Sequence, residues 1–350
     1  MDKLYISVYE KIKNEIIGRI YKSGEKLPSK RVCAERNGVS VVTVEHAYAM
    51  LEEEGYISAV TRSGYFCVYN SKEIYSGVKE TENIKNFSLL PGIKENFPES
   101  VYLKAVRKVI TEQKSEILQK SENSGLFILR SALSKYLIRC RGIKADPERI
   151  IIGSGAQSLY HMIICLLGKD HIFAIEDPSY KKIENEYKSH GIEYRKLKLE
   201  NGGINSTELK STDADILHVT PYRSFPSGIT ATAAKRAEYL KWANLRNGII
   251  IEDDYGSEFY RFRKPFETLY ELSCGNVIYL NTFSKTISSA VKTGYIILPE
   301  NFYPLYEIDK EMISCTVPTL DQLVLAELLN NGSFERNLNR IRRKIRKNEI

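Results

Sequence analysis

The sequence predicts an α/β protein in which a small N-terminal domain precedes a larger domain built on a mainly parallel sheet. Three observations support this prediction. The first 69 residues place helix-period segments before two short strand-like runs. From about residue 87, apolar runs of strand length alternate with helical stretches. Polar and charged side chains directly follow several of these runs, where parallel sheets bind ligands. We predict domains at residues 1–69 and 87–350, joined by a linker at 70–86.

The N-terminal segment has the element order of a winged helix-turn-helix. Residues 4–20 carry apolar side chains at helical spacing. Ser29 and Ser40 suit the N-caps of the next two helices, and Gly38 suits the turn between them. The last of these helices is expected to stop at Gly55.

Two further runs predict the wing. Tyr56-Ile57 and Tyr65–Val68 flank Arg62-Ser63-Gly64, as in a β-hairpin. Another kind of small helical bundle is the alternative. Residues 70–86 carry charges of both signs without periodicity, which is typical of a linker.

The larger domain shows βαβ organisation. Its strand-like runs are 150–152, 172–175, 216–219 and 248–251, and helical stretches such as 180–190 and 233–247 lie between them. Strands and helices in alternation predict a largely parallel sheet with helices on both faces.

Composition excludes several classes of protein. Apolar residues make up 43% of the chain and charged residues 27%, as in an ordinary globular protein. The six cysteines form no C-x-x-C pair, so the sequence predicts neither a metal site nor a disulfide framework. It contains no signal peptide and no apolar stretch long enough to span a bilayer. We therefore expect a cytoplasmic protein without membrane partners.

The net charge of +7 lies near the C-terminus. Residues 1–70 hold 10 basic and 9 acidic residues, a net of +1, whereas residues 336–350 hold 7 and 1, a net of +6. Charge therefore gives little support for DNA contact by the N-terminal domain. Phe334–Ile350 predicts a basic helix with an apolar stripe. It could bind a membrane surface or nucleic acid, or pack against a domain that follows.

Two motifs carry the chemistry of the larger domain. Glu252-Asp253-Asp254-Tyr255 and Thr282-Phe283-Ser284-Lys285 each close a predicted strand, so both should lie at one edge of the sheet. A lysine amine forms a Schiff base with a carbonyl cofactor, and an Asp opposite the pyridine nitrogen is the expected partner in pyridoxal phosphate sites. The pair predicts such a pocket. The plainer alternatives are a solvated lysine and a loop carboxylate.

Other residues could complete this pocket. Gly153–Gln157 opens a helix whose N-terminus, at Ala156 and Gln157, favours a phosphate. Thr282 and Ser284 offer hydroxyl donors. Tyr255 could reach the ring oxygen, and Tyr180 could stack on the ring or belong to the core.

Taken together, these residues resemble the MocR subfamily of GntR-type transcriptional regulators. The motifs that carry the resemblance are Leu27–Arg31, Gly38–Ser40, Leu51–Tyr56, Gly153–Gln157, Glu176–Tyr180, Pro226–Gly228, Glu252–Tyr255 and Thr282–Lys285. It implies a winged helix-turn-helix fused to a fold-type I, pyridoxal-phosphate-dependent aminotransferase-like domain. It further implies Lys285 as the aldimine lysine, Asp253 at the pyridine nitrogen, and a homodimer that binds double-stranded promoter DNA and responds to the cofactor or an amino-acid effector.

The chain departs from the subfamily pattern in the helix-turn-helix residues that are expected to contact DNA, which we call the reader. Val41 stands where an arginine is usual, and Glu45 where some relatives carry another. We therefore expect DNA contact from a different set, namely Arg31, Ser40, Thr43, His46, Arg62 and Gly64.

Two departures concern the cofactor domain. Lys292 replaces an arginine seven residues beyond the aldimine lysine, so a phosphate would meet a point charge instead of a bidentate fork. Relatives also continue for about another domain past the basic helix. The C-terminal small domain, which usually supplies the arginine for the substrate carboxylate, is therefore expected to be missing.

Three functions remain open from the sequence. The first is a DNA-binding regulator that binds pyridoxal phosphate and senses it or an amino acid. The second is an active aminotransferase with a vestigial DNA-binding domain, for which we expect at most weak turnover. The third is a DNA-binding protein whose aminotransferase-like half serves only for dimerisation, against which the retained Lys285 and Asp253 argue.

Overall fold

The computed structural model describes residues 4–18, 20–61, 63–69, 97–259, 267–273, 275–304, 306 and 313–347. The predicted linker and Arg62 therefore lie outside the described residues. These residues fall into two compact units. The first contains those up to Tyr69 together with Ala231–Tyr239, and the second contains the rest.

The first unit begins with the predicted winged helix-turn-helix. Its elements are α1 (Leu4–Ile17), α2 (Lys30–Asn37), α3 (Val41–Glu53), β1 (Ile57–Val60) and β2 (Gly64–Cys67). β1 and β2 pair antiparallel, with Ile57 opposite Cys67. The predicted apolar face of α3 is fully buried against the rest of this unit; it consists of Val44, Ala47, Tyr48 and Leu51.

The predicted caps explain where α2 and α3 begin. The hydroxyl of Ser29 accepts a hydrogen bond from the Val32 N–H at 3.3 Å, and that of Ser40 accepts one from the Thr43 N–H at 3.1 Å. Gly38 ends α2 with φ of 61°, a left-handed conformation that glycine adopts at little cost. Sequence therefore determined these boundaries locally.

The second unit is built on one large sheet. Its helices are α4 (Glu99–Glu112), α5 (Phe127–Arg141), α6 (Gly155–Leu167), α7 (Lys181–Ser189), α8 (Ser206–Ser211), α9 (Ala233–Arg246, shared with the first unit), α10 (Leu269–Leu272), α11 (Thr319–Asn330) and α12 (Ser333–Arg346). Its strands are β3 (Ile150–Gly153), β4 (Phe173–Asp177), β5 (Tyr194–Glu200), β6 (Gly203–Ile204), β7 (Ile216–Val219), β8 (Ile249–Asp253), β9 (Val277–Thr282) and β10 (Gly294–Ile297). Their order is β3-β10-β9-β8-β7-β4-β5-β6.

Helices cover both faces of this sheet, as predicted. Ile150 and Ile152 of β3 belong to one apolar cluster, which includes side chains of α4, α5, α11 and α12. Ile151, between them, belongs to a second cluster with side chains of α6 and α7. Successive side chains of a strand point to opposite faces, so the two clusters are the two layers beside the sheet.

The sheet is not wholly parallel. β4, β5, β7, β8 and β9 run parallel, but β10 pairs antiparallel with both β3 and β9. The sequence did not predict β10. A short apolar run indicates a strand but carries no information on its direction or its neighbours.

The C-terminal basic helix packs inside the second unit. Leu338, Ile341 and Ile345 of α12 are each 1% exposed and belong to the first apolar cluster. The apolar stripe therefore has its partner within this unit. Among the described residues, no helix has the length and apolar character required to cross a membrane.

Candidate functional site

The predicted pocket residues lie along one edge of the sheet. β8 ends at Asp253 and its parallel neighbour β9 ends at Thr282, so both strands deliver their last residues to the same side. Lys285 follows three residues later. α6 begins beyond β3 at the same edge, since β3 and β9 both run antiparallel to β10.

Lys285 lies directly over Tyr255. Its Nζ is 3.8 Å from the centroid of the tyrosine ring. Gly256, with φ of 81°, faces the same amine, and a Cβ there would approach Nζ to 3.0 Å. Glycine at 256 therefore leaves room for the lysine, and the two sequence motifs meet at this contact.

The environment of Lys285 favours its neutral form. Its side chain reaches solvent, but surrounding protein atoms desolvate the amine and lower its pKa to about 8. The carboxylates of Glu258 and Asp253 oppose this shift, and the positive charge of Arg223 adds to it. A lowered pKa makes a lysine nucleophilic near neutral pH.

Asp253 is held in place by neighbouring elements. It is buried, and its Oδ2 accepts a hydrogen bond from the Tyr160 hydroxyl of α6 at 2.5 Å. His218 of β7 places its Nε2 3.9 Å from the same oxygen. The other ring nitrogen of His218 shares a hydrogen bond with the Tyr187 hydroxyl at 2.6 Å. The carboxylate is thereby held by Tyr160 of α6, with the imidazole of His218 beside it.

The predicted phosphate-binding residues occupy the ends of α6 and β9. Gly155 opens α6 with φ of 78°, and a Cβ built there would meet no atom within 4 Å. Ala156 is half-buried and Gln157 exposed in the same turn. Thr282 is buried at the end of β9, with Ser284 half-buried and Lys292 exposed beyond it. Among the described residues, the position that a Cβ at Gly155 would take is thus open space, although the residue itself is buried.

Tyr180 caps the start of α7 and is half-buried. Its ring meets that of Phe225 edge to face, with centroids 5.8 Å apart. It also packs on the cluster that contains α6 and α7. Packing accounts for its burial, so stacking on a cofactor stays a prediction.

A buried ion pair lies beside the pocket motif. The guanidinium of Arg141 donates to Asp254 at 2.5 Å, and the Tyr279 hydroxyl donates to the same carboxylate at 2.6 Å. Burial, the largest single cause, would lower the pKa of Arg141, but Asp254 together with Tyr279, Glu258 and Tyr136 outweighs it and the pKa is raised. The charged pair therefore persists inside the unit, and it holds the strand end that carries Asp253.

The predicted DNA-contacting residues lie on α2, α3 and the wing. Arg31 and His46 are exposed, and His46 meets the Tyr5 ring edge to face at 6.0 Å between centroids. Ser40 caps α3 and its hydroxyl lies 2.8 Å from that of Thr43, so the two side chains support each other. Gly64 turns the wing with φ of 112°. Arg31, Ser40, Thr43, His46 and Gly64 therefore lie in the helix-turn-helix and its wing, and the predicted Arg62 lies outside the described residues.

Several pocket residues were missed by the sequence analysis. Arg223 lies in the segment after β7, where the strand-end rule would have found it. Tyr160 and His218 lie within α6 and β7, and no local pattern marks them. Their relation to Asp253 depends on pairing between distant segments. In the helix-turn-helix, Lys30 of α2 forms an ion pair with Glu45 of α3 at 2.6 Å, so Glu45 has a partner within the protein.

Comparison with known proteins identifies both parts of the chain. Residues 4–67 match the family described as bacterial regulatory proteins, gntR family. Residues 90–349 match the family described as aminotransferase class I and II. The regulator YdeL of Bacillus subtilis, described as an uncharacterized HTH-type transcriptional regulator, is 32% identical over 98% of this chain and 77% of its own length. The probable rhizopine catabolism regulatory protein MocR of Rhizobium meliloti is 27% identical over 97% of this chain and 74% of its own.

The chain belongs to the MocR subfamily of GntR-type transcriptional regulators. Another relative is PdxR, the HTH-type pyridoxine biosynthesis transcriptional regulator of Corynebacterium glutamicum, 28% identical over 95% of this chain and 74% of its own length. As in the MocR subfamily generally, a DNA-binding unit is combined with an aminotransferase-like unit.

Solved aminotransferases share the fold of the second unit. The kynurenine aminotransferase of Pyrococcus horikoshii, solved with PMP, is 25% identical with a TM-score of 0.64, over 71% of this chain and 64% of its own. LysN, the α-aminoadipate aminotransferase of Thermus thermophilus, is 25% identical with a TM-score of 0.63, over 72% and 65%. This member of the MocR subfamily therefore spans less than two thirds of the length of these enzymes.

Proposed function

We propose that this protein is a DNA-binding transcriptional regulator that binds pyridoxal 5'-phosphate through Lys285 and responds to that cofactor or to an amino-acid effector. The observation that carries the proposal is the position of the Lys285 amine. It lies 3.8 Å from the Tyr255 ring centroid, at the sheet edge where Asp253 is buried, and its pKa is lowered to about 8. A scaffold used only for dimerisation has no need of a desolvated amine in this place.

The residues of this edge fit the cofactor. Gly155 leaves open space at the first turn of a 13-residue helix, which suits a phosphate. His218 adds a buried Nε2 at 3.9 Å from Asp253, and this nitrogen has no hydrogen-bond partner among the described residues. Relatives named for pyridoxine biosynthesis and aminotransferases named with PMP point to the same class of ligand.

Each pocket residue has a proposed role. Lys285 would hold the cofactor through its amine, and Asp253 would keep the pyridine nitrogen protonated. Tyr255 would serve the ring oxygen and Tyr180 the ring itself. The phosphate would be held by Ala156, Gln157, Thr282, Ser284 and Lys292. When bound, pyridoxal phosphate supplies an aldehyde that reacts with amino groups, which makes it a natural detector of amino acids.

The DNA-binding roles rest on the winged helix-turn-helix. α3 is the recognition helix in this motif, and its N-terminal residues face the bases. Val41 and Val42 are 42% and 59% exposed at its first turn, where they suit thymine methyl groups better than guanine. Arg31, Thr43, His46 and the wing complete the contact. A homodimer would offer two such helices to two half-sites.

Two experiments test this function. Addition of pyridoxal phosphate to purified protein should produce the visible absorption of a lysine-bound pyridoxal group in wild type and not in Lys285→Ala. Lys181→Ala, on exposed helical surface, is the control. If the Lys285→Ala variant gained the same band, the assignment of Lys285 would be wrong.

The second experiment addresses DNA. Arg31→Ala and Thr43→Ala should each weaken retention of the protein's own promoter fragment in a gel-shift assay. Thr111→Ala also removes a threonine hydroxyl, but from α4 of the second unit, and should leave retention of the promoter fragment unchanged. If Arg31→Ala and Thr43→Ala both retained the promoter fragment as well as wild type, these residues would not form the DNA contact.

The alternative function is an active aminotransferase. Arg223 favours it, because a cation beside the Lys285 amine could hold a substrate carboxylate. Repeated turnover with an amino donor and a keto acid, lost in Arg223→Gln, would establish this function. We expect a single half-reaction at most.

A further inference from the structure

A second cluster of chemically active side chains lies on the outer helices of the second unit. His161 lies on α6, Glu186 on α7, and His190 directly after α7. One potential ligand atom from each of these residues lies within 4.8 Å of the others. Two of the five histidines of the chain therefore meet beside a buried carboxylate.

The two ring nitrogens of His190 have different partners. Its Nδ1 lies 2.9 Å from the backbone carbonyl of Glu186, to which it donates a hydrogen bond. This contact fixes the tautomer and directs the lone pair of Nε2 towards His161, whose Nδ1 lies 2.8 Å away. Metal-binding histidines are oriented in this way, by donation from the other ring nitrogen to a carbonyl or carboxylate.

Glu186 completes the cluster from one turn earlier on α7. Its side chain is 6% exposed, and its Oε1 lies 3.6 Å from the Nδ1 of His190. A carboxylate at this depth is costly unless a cation or hydrogen bonds compensate it. The C-terminal end of α7, where His190 lies, also favours positive charge.

From these contacts we infer that His161, Glu186 and His190 form a binding site for a divalent transition metal of the Zn²⁺ class. Zinc ligands lie about 2.0–2.2 Å from the ion, so two of them are roughly 3.3 Å apart. The two imidazole nitrogens are 2.8 Å apart and the three potential ligand atoms lie within 4.8 Å of one another, so side-chain rotations must bring them to this spacing. Two imidazoles and one carboxylate are a known zinc ligand set, which leaves a fourth position for water or an exogenous ligand.

Cys165 and Ser189 also contact the cluster, and the Ser189 hydroxyl lies 3.2 Å from the Nδ1 of His190. Cys165 contacts His161. Its Sγ lies 3.6 Å from the Nε2 of His161, the nitrogen that points away from His190. With Nδ1 on the metal, Nε2–H can donate to this sulfur. Cys165 is thus placed to orient His161 in the same way that the Glu186 carbonyl orients His190.

The site is tested by zinc titration of the full chain, purified without a histidine tag and stripped with EDTA. Calorimetry should show one equivalent more of bound Zn²⁺ in wild type than in His161→Ala, His190→Ala or Glu186→Gln. His171→Ala is the matched control, because the side chain of His171 is 43% exposed and its Nδ1 lies 3.7 Å from Asp215, outside the cluster. It should keep the wild-type stoichiometry, and circular dichroism checks the fold of each variant.

Cobalt substitution gives an independent readout. Co²⁺ at a low-coordinate site absorbs visible light, and this absorption should disappear in His161→Ala and His190→Ala but not in His171→Ala. Equal zinc stoichiometry in wild type and the cluster variants would overturn the inference, as would a wild-type protein that binds no zinc. Neither result depends on pyridoxal phosphate, so this inference and the proposed function can fail separately.

Discussion

The pKa of Lys285 depends on desolvation more than on any single charged neighbour. Burial among protein atoms is the largest cause of its lowered pKa, followed by the opposing charge of Glu258 and the reinforcing charge of Arg223. With a pKa of about 8, half of the amine is neutral at that pH, whereas an ordinary lysine reaches this point more than two units higher. The residue is therefore prepared for reaction before any ligand arrives.

Arg223→Gln should raise the pKa of Lys285, because it removes a positive charge that disfavours the ammonium form. The rate of pyridoxal phosphate capture, followed as visible absorption, should rise with pH around a midpoint near 8 in wild type and around a higher midpoint in the variant. Arg195→Gln removes a surface arginine paired with Asp213 and should leave the midpoint in place. An unchanged midpoint in Arg223→Gln would show that the charge of Arg223 does not affect the pKa of Lys285.

Tyr160→Phe tests the support of Asp253. It removes a buried hydrogen bond to a carboxylate, and bonds to charged groups contribute about 1.5–3 kcal/mol. The free energy of unfolding in urea should fall by that amount, and the affinity for pyridoxal phosphate should fall as well. Tyr194→Phe removes a bond to Glu184 at the surface and should cost less than about 1 kcal/mol. Equal losses in the two variants would remove the special role of Tyr160.

At the scale of elements, the starts of α2 and α3 were predictable because they depend on local chemistry, whereas the predicted runs 172–175 and 248–251 stop two residues before the observed strands end. Ser29, Ser40 and Gly38 act through contacts within four residues, so the sequence alone located α2 and α3. β10 was not predictable, because its antiparallel place between β3 and β9 depends on residues more than a hundred positions apart. Local sequence patterns predict individual helices and strands, but the order and direction of strands in the sheet depend on pairing between distant segments.

Gly155 and Gly168 allow a matched test of α6. Both have positive φ, of 78° and 81°, and a Cβ at either would meet no atom within 4 Å. Alanine at either position should lower the free energy of unfolding by on the order of 1–3 kcal/mol through backbone strain. Only Gly155→Ala should also weaken pyridoxal phosphate binding, since its Cβ enters the proposed phosphate site. A parallel loss of affinity in Gly168→Ala would show that strain alone is responsible.

The two helix caps of the reader allow a second matched test. Ser40→Ala and Ser29→Ala each remove one side-chain acceptor and should each cost about 1 kcal/mol of stability in urea. Promoter binding should fall further in Ser40→Ala, because its cap also positions Thr43. If gel shifts showed the larger loss in Ser29→Ala, α3 would not be the recognition helix.

At the scale of the whole molecule, the two sequence motifs predicted the pocket residues, but the sequence did not predict the side chains that surround them. Asp253 and Lys285 were predicted at one edge of the sheet because Asp253 ends β8 and Lys285 follows β9. Tyr160, His218 and the histidine cluster were not, because each joins segments that only the folded chain brings together. The expectation of no metal site rested on cysteine spacing, and a cluster drawn from α6 and the end of α7 has no such signature.

Regulation by the cofactor requires a coupling free energy between the pocket and the DNA reader. If pyridoxal phosphate changes promoter affinity, the promoter must change pyridoxal phosphate affinity by the same factor, about 5–150-fold for typical couplings. Fluorescence anisotropy with labelled promoter DNA gives the first factor, and absorption titration of the protein with and without that DNA gives the second. Both should be present in wild type and absent in Lys285→Ala, while Lys181→Ala keeps them. Cofactor binding that leaves promoter affinity unchanged, in the presence and absence of amino acids, would reduce the second unit to a scaffold or an enzyme.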